Sequence, residues 1–123
     1  MRLPHALLCT LLLAATARAA DLRVVDAARA KDAAAVRTLI SQRADVNVPQ
    51  PDGATALHWA AHWDNAEMVD ALLAAGANVR VANEYGATPL MLACSNANAA
   101  IIGKLLKAGA DANAAIPSGE TRS

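Results

Sequence analysis

The sequence has few aromatic residues. Two tryptophans and one tyrosine occur among 123 residues, and phenylalanine does not occur at all. The chain therefore has few large side chains from which to build a single globular core. Hydrophobic residues still make up 55% of it, and many are alanine, a composition that favours helices packed closely through small side chains. A chain of this length forms one domain at most.

An excess of charge of either sign is also lacking. The chain has 11 basic and 11 acidic residues, and its formal net charge is zero. Proteins that bind nucleic acid carry basic runs or patches that neutralise phosphates, and this sequence has no basic run. We therefore expect no nucleic-acid partner.

The longest apolar run lies at the N-terminus, over residues 6–15. Arg2 precedes it, and the pattern Ala17-Arg18-Ala19 follows it. A positive start, a short apolar run and an A-x-A site are typical of a secretory signal peptide, and about ten residues are too few to span a bilayer. We predict cleavage after Ala19 or Ala20, export across the inner membrane to the periplasm, and no membrane association after cleavage. The alternatives are an uncleaved anchor or a first buried helix.

Cysteine is scarce, with Cys9 and Cys94 the only two. Cys9 lies within the apolar run rather than after it, so we do not expect a lipoprotein. Cleavage would leave Cys94 alone, and a single cysteine cannot form an internal disulfide. We expect Cys94 to be buried; a reactive thiol or a pair between chains is the alternative in an oxidising compartment.

A spacing of 33 residues recurs along the chain. It relates four sets of identical residues: Gly53, Gly86 and Gly119; Thr55, Thr88 and Thr121; Leu39, Leu72 and Leu105; Ala44, Ala77 and Ala110. Such a period indicates stacked structural repeats. Thr55 and Thr88 are good N-caps for a first helix, and Pro89 suits its first position. Apolar stripes predict second helices over 66–74 and 99–107, each followed by a glycine able to take positive φ.

The segments DGATALHWAAHWDNAEMVDALLAAGANV and YGATPLMLACSNANAAIIGKLLKAGADAN resemble ankyrin repeats, whose pattern is D-x-x-G-x-T-P-L-H-x-A-A followed by an LL pair and G-A-D-V-N. The resemblance covers about 21–121 and implies an all-α solenoid of stacked helix-turn-helix units with hairpin-like loops. The predicted divisions are a signal peptide at 1–19, a degenerate N-terminal repeat at 20–51, complete repeats at 52–84 and 85–117, and a truncated start of a further repeat at 118–123.

The stretch TALHWAAHWD raises a question of chemistry, because His58 and His62 at i and i+4 share one helix face. No third ligand stands at a recognisable spacing, and no order of nucleophile and base suggests catalysis. We therefore expect no metal, no cofactor and no enzyme activity. The resemblance gives His58 a structural role near the helix start and makes Trp59, where the family usually has leucine, a core or inter-helix filler.

The same resemblance implies a non-catalytic module that binds an unidentified partner protein through its concave face and hairpin tips. The candidate contact residues are Arg29, Asp52, His62, Trp63, Glu84, Tyr85, Ser95 and Asn96. Tryptophan, tyrosine and arginine are enriched at binding hot spots. The alternative for Trp63 is that it packs locally on Tyr85 and binds nothing.

Two further features leave the function open. Arg43 stands where the later repeats have glycine, so a left-handed backbone there would cost about 1 kcal/mol. A fourth repeat begins at Gly119, and the last complete repeat would have no polar cap. We predict either a fragment of a longer exported protein, whose activity lies in another domain, or self-association through the uncapped repeat. A metal or redox helper using Cys94, His58 and His62 is a third, weaker hypothesis.

Overall fold

The computed structural model describes residues 21–115. Within this range the chain forms six α-helices and a short 3-10 helix, and it contains no β-strand. The helices are α1 (Arg23–Arg29), α2 (Ala33–Ser41), α3 (Ala56–His62), α4 (Ala66–Ala74), α5 (Pro89–Ser95) and α6 (Ala99–Lys107), and Ala112–Ala115 forms the 3-10 helix. The predicted signal peptide at 1–19 and the predicted repeat start at 118–123 lie outside the described residues.

The helices pack as three successive pairs, α1 with α2, α3 with α4, and α5 with α6. The first helices of the pairs, α1, α3 and α5, contact one another in a row. The second helices, α2, α4 and α6, form a parallel row of contacts behind them. This arrangement confirms the predicted all-α solenoid of stacked helix pairs.

The first helices begin where the threonines predict. Thr55 is the N-cap of α3 and Thr88 is the N-cap of α5, both with extended backbone. The Thr88 hydroxyl accepts a hydrogen bond from the Met91 N–H at 3.3 Å, and Pro89 occupies the first turn, where its missing N–H leaves no intrahelical bond unmade. Local chemistry therefore fixes the start of these helices.

The second helices are capped by acidic or amide side chains. Asp32, Asn65 and Asn98 are the N-caps of α2, α4 and α6, and each side-chain oxygen accepts a hydrogen bond from the backbone N–H three residues later. The bounds of α4 and α6 coincide with the predicted helices 66–74 and 99–107, so the apolar stripes located both helices correctly.

Left-handed backbone recurs after the second helices, between the first and second helices, and at the hairpin glycines Gly53 and Gly86. After the second helices, Arg43 has φ 64°, whereas the later repeats have Gly76 and Gly109 at the same register. Arg43 thus adopts the conformation that the sequence predicts to cost about 1 kcal/mol relative to glycine. Between the first and second helices, Lys31, Asp64 and Ala97 have φ values of 65°, 63° and 56°.

Small side chains fill the row of first helices. Ala28, Ala60, Ala61 and Ala93 are all fully buried, and alanine at these positions allows the helices to approach closely. Larger apolar side chains complete the core: Val24, Val36, Leu57, Met68, Val69, Leu72, Leu90, Ile101 and Leu105. The core therefore extends along the stack, and each repeat buries its apolar sides against its neighbours.

Polar side chains also join one repeat to the next. The Asn47 side-chain amide donates to the Gly76 carbonyl at 3.1 Å and accepts from the Asn78 N–H at 2.7 Å. At the equivalent position of the next repeat, the Arg80 Nε donates to the Gly109 carbonyl at 2.8 Å. These bonds satisfy carbonyls that follow the ends of the second helices.

The two left-handed turns give a paired stability prediction. Ala97→Gly should raise the free energy of unfolding by up to about 1 kcal/mol, because glycine adopts positive φ without the steric cost that a Cβ brings. Gly76→Ala should lower it by a similar amount, since φ is 91° there although a Cβ would meet no atom within 4 Å. Urea denaturation measures both changes. A loss of stability in Ala97→Gly would contradict the assignment of strain at this turn.

Candidate protein-binding surface

The C-terminal ends of the first helices carry a row of side chains that link neighbouring repeats. The Trp63 indole Nε1 donates to the Arg29 carbonyl at 3.1 Å. At the equivalent position 33 residues later, the Asn96 side-chain amide donates to the carbonyls of Ala61 and His62 at 3.0 and 3.1 Å. Positions 63 and 96, predicted to contact a partner, therefore also satisfy helix-end carbonyls of the preceding repeat.

Trp63 is the centre of an aromatic cluster on this surface. Its ring stacks on Trp59, with centroids 5.9 Å apart, and meets the edge of His62 at 4.6 Å. The Lys31 ammonium of the preceding repeat lies 4.2 Å from the centroid of the Trp63 ring, a cation–π geometry. Trp63 is only half-buried, so part of the cluster is exposed to solvent.

The alternative that Trp63 packs on Tyr85 is wrong. Tyr85 does not form the aromatic contact; its side chain is 81% exposed. Tyr85 lies in the hairpin that precedes the N-terminus of α5, whereas Trp63 follows the C-terminus of α3. The seven residues of α3 place these ends about 10 Å apart along the helix axis, which separates the two rings.

His58 has a structural environment. It is 2% exposed, its Nδ1 accepts from the Thr55 N–H at 3.0 Å, and its Nε2 lies 2.9 Å from the Ala87 carbonyl. An accepting Nδ1 and a donating Nε2 require the neutral ring with its proton on Nε2. His58 thus caps its own helix and holds the next hairpin, and neither ring nitrogen is free for a metal. Burial lowers the pKa of the His58 imidazole, consistent with this neutral form.

A cavity of about 190 Å³ lies between the hairpin loops and the first helices. Its lining includes Asp52, Trp59, His62, Asn83 and Leu92. Of the predicted site residues it brings together Asp52 and His62. Sequence reasoning did not assign Trp59 or Leu92 to the binding surface, although a tryptophan in place of the usual leucine was a signal that this wall differs from other repeats.

A side-chain relay positions two lining residues of this cavity. The Trp59 indole Nε1 donates to Gln50 Oε1 at 3.0 Å, and Gln50 Nε2 donates to Asp52 Oδ1 at 2.9 Å. Asp52 Oδ1 also accepts from the Ala54 N–H at 3.0 Å. These donors lower the pKa of the Asp52 carboxyl. Gln50 occupies the first position of the D-x-x-G pattern, so its departure from aspartate creates the relay.

The other candidates are exposed at the two ends of this surface. Arg29 ion-pairs with Asp26 at 3.3 Å. Glu84 and Tyr85 project from the second hairpin, whose Glu84 N–H donates to the Asp52 carbonyl at 2.7 Å. Ser95 is also exposed, near the end of α5. The eight predicted residues therefore fall along the first helices and the adjoining hairpins.

The expectation that Cys94 is buried is wrong. Its thiol is free and exposed, whereas Ala28 and Ala61 at the same register are fully buried by the following first helix. Within residues 21–115 no further α-helix follows α6, and α5 contacts the short 3-10 helix Ala112–Ala115 instead. Leu106 on the same repeat is 41% exposed. Self-association through this end stays a prediction, and sedimentation of a well-folded monomer would contradict it.

Comparison with known families agrees with the geometry. The family model described as ankyrin repeats, in three copies, matches residues 24–116. The chain belongs to the ankyrin repeat family. No curated protein sequence matches it. Residues 21–115 contain no helix long and apolar enough to cross a membrane, and the same residues contain no group of three or more His, Cys, Asp or Glu side chains placed to hold a metal ion.

The buried imidazole predicts a pH dependence of stability. Because the folded-state pKa of His58 lies below the ordinary value of 6.5, the unfolded chain binds more protons as the pH falls below 6.5. The free energy of unfolding should therefore be highest above about pH 7 and should decrease toward pH 5. The decrease is at most about 1.4 kcal/mol per pH unit.

Urea denaturation of the protein and of His58→Gln between pH 7.5 and 5 measures this effect. His58→Gln should be less stable at pH 7.5 and should lose most of the decrease. His62→Gln is the matched control, since it removes a histidine from the exposed surface, and it should keep the decrease. Equal pH slopes for the protein and His58→Gln would show that another group causes it.

Proposed function

We propose that this protein is an exported, non-catalytic module that binds a partner protein through its concave face and hairpin tips. Ankyrin repeats are in general protein–protein interaction modules, and the chain belongs to that family. The observation that carries the proposal is the half-exposed aromatic cluster of Trp59, His62 and Trp63, held on a row of stacked helices.

The cluster has the features of a binding hot spot. Tryptophan contributes a large contact area, and such residues dominate interface energies when a ring of neighbouring contacts excludes water. The Trp63 ring is already fixed by its bond to the Arg29 carbonyl and by its stacking on Trp59. A fixed side chain loses little conformational entropy on binding, which favours affinity.

Charged groups flank the cluster on both sides. Arg29 and Lys31 are exposed next to Trp63, and Glu84 is exposed on the second hairpin. Arg29 is paired with Asp26, so Lys31 supplies the positive charge beside Trp63, and Glu84 supplies negative charge at the hairpin tip. Such a pattern orients a partner and discriminates against partners of the wrong charge.

Affinity capture from a periplasmic extract tests the binding proposal. The variant with Arg29→Ala, His62→Ala, Trp63→Asn and Tyr85→Ala should retain at least about tenfold less partner than the unmodified protein. Asparagine is chosen at position 63 because Asn96 donates to the preceding carbonyls at the equivalent position. The Trp63→Asn change therefore removes the ring while the repeat contact can persist.

A double variant on the second helices, Arg37→Ala with Glu67→Ala, is the control. These two side chains form an exposed ion pair between α2 and α4, and such pairs contribute about 0–1 kcal/mol. This control should hold the partner as well as the unmodified protein does, with equal helicity by circular dichroism. If the concave-face variant retained the same partner, the binding surface would have to lie elsewhere.

Export is a separate part of the proposal with its own measurement. Expressed in a bacterium, the protein should be recovered from the periplasm with Ala20 or Asp21 as its first residue, because signal peptidase cleaves after small residues in an A-x-A site. Intact-mass spectrometry identifies this terminus. Replacing Ala17 and Ala19 by glutamine should leave the segment uncleaved, and a periplasmic protein that keeps Met1 without these changes would contradict the cleavage site.

A further inference from the structure

The cavity between the hairpins and the first helices combines an aromatic ring with a carboxylate. Trp59 and Asp52 both line it, and the Gln50 amide holds them in a fixed relation through bonds of 3.0 and 2.9 Å. A site whose recognition groups are held by neighbouring hydrogen bonds is ready to bind without rearrangement. This preorganised pair distinguishes the cavity from an ordinary gap between repeats.

The carboxylate retains capacity to bind a ligand. Both side-chain hydrogen bonds that the described residues give Asp52 end on its Oδ1 atom, and a carboxylate has two oxygens that accept. The side chain is ionised at neutral pH, because these N–H donors favour the charged form. His58, which lines the same cavity, is buried and has both ring nitrogens in hydrogen bonds that fit the neutral ring, so it offers no competing positive charge.

The aromatic cluster already accepts a cation from the chain itself. The ammonium of Lys31, a residue of the turn between α1 and α2, lies over the Trp63 ring at 4.2 Å. Trp59 stacks on the same Trp63 ring and continues the cluster into the cavity, where no lysine or arginine is among the lining residues. Leu92 adds an apolar wall that suits an aliphatic stem.

We propose that this cavity binds an arginine side chain of the partner protein, with its guanidinium against Trp59 and its N–H groups on Asp52. The inference rests on the proposed function, because the arginine belongs to that partner. Arginine fits better than lysine because its planar guanidinium stacks on aromatic rings and donates from several N–H groups to a carboxylate. An acidic side chain in this cavity would be repelled by the negative charge of Asp52.

Titration of the purified protein with N-acetyl-arginine amide, followed by NMR of the tryptophan indole N–H signals, tests the proposal. The Trp59 signal should shift and saturate. N-acetyl-citrulline amide, which has nearly the same shape without the charge, should bind at least about fivefold more weakly. N-acetyl-lysine amide should also bind more weakly, and equal binding of the lysine and arginine amides would overturn the assignment to a guanidinium.

The charge of Asp52 is tested by Asp52→Asn, whose Oδ1 can still accept from Gln50 and Ala54. This variant should reduce arginine-amide binding about fivefold or more while its unfolding transition stays close to that of the unmodified protein. Asp45→Asn is the matched control: it makes the same change of charge at an exposed position outside the cavity lining, where the next repeat naturally has Asn78. It should leave binding unchanged.

Failure of this inference is distinguishable from failure of the proposed function. If the arginine amide causes no saturable shift, or if Asp52→Asn and Asp45→Asn bind it equally, the cavity does not bind arginine, even where a partner is captured through the aromatic cluster. If the amide binds as expected but no partner is captured from the extract, the cavity assignment stands and the proposed partner binding is contradicted.

Discussion

Each repeat leaves backbone carbonyls at the ends of its helices and in its hairpin, and the neighbouring repeat supplies the donors. His58 reaches the Ala87 carbonyl, Asn47 the Gly76 carbonyl, and Trp63 the Arg29 carbonyl. Polar groups removed from water without a partner cost free energy, so these bonds define one register between repeats. The buried alanines between the first helices permit that register, because they let the helices approach closely.

The same constraint shapes the candidate binding surface. The Trp63 indole N–H donates a hydrogen bond to the Arg29 carbonyl of the preceding repeat, and part of the ring is exposed to solvent. Asn96 makes the equivalent bond to the His62 carbonyl without an aromatic ring. At this position of the repeat, stacking requires a side chain that donates a hydrogen bond to the preceding repeat, and both tryptophan and asparagine meet this requirement. The choice of tryptophan at position 63 therefore adds contact area beyond what stacking needs, which is the property that a binding surface requires.

The Gln50 relay shows how one substitution within a repeat pattern alters a surface. Gln50 joins the Trp59 indole to the Asp52 carboxylate, whereas Asn83, at the equivalent position of the next repeat, accepts from the Tyr85 and Ala87 N–H groups of its own hairpin. Hairpin geometry is kept in both repeats by side-chain acceptors. The Trp59 ring and the Asp52 carboxylate are thus held in fixed relative positions in the cavity lining, while the repeat scaffold is unchanged.

The sequence by itself determined the repeats, the helix pairs and the threonine N-caps of α3 and α5, because a 33-residue period, capping chemistry and apolar stripes act within one repeat or between identical positions. It also identified Arg43 as a strained departure from glycine. Only the tertiary structure decided that Trp63 stacks on Trp59 and not on Tyr85, that Cys94 is exposed, and that Gln50 links Trp59 to Asp52. These outcomes depend on how side chains are oriented when the elements pack, and the bonds between repeats that set this packing join residues 29–35 apart. A residue pattern does not predict such contacts by itself, because the distances between these side chains are set by how neighbouring repeats stack.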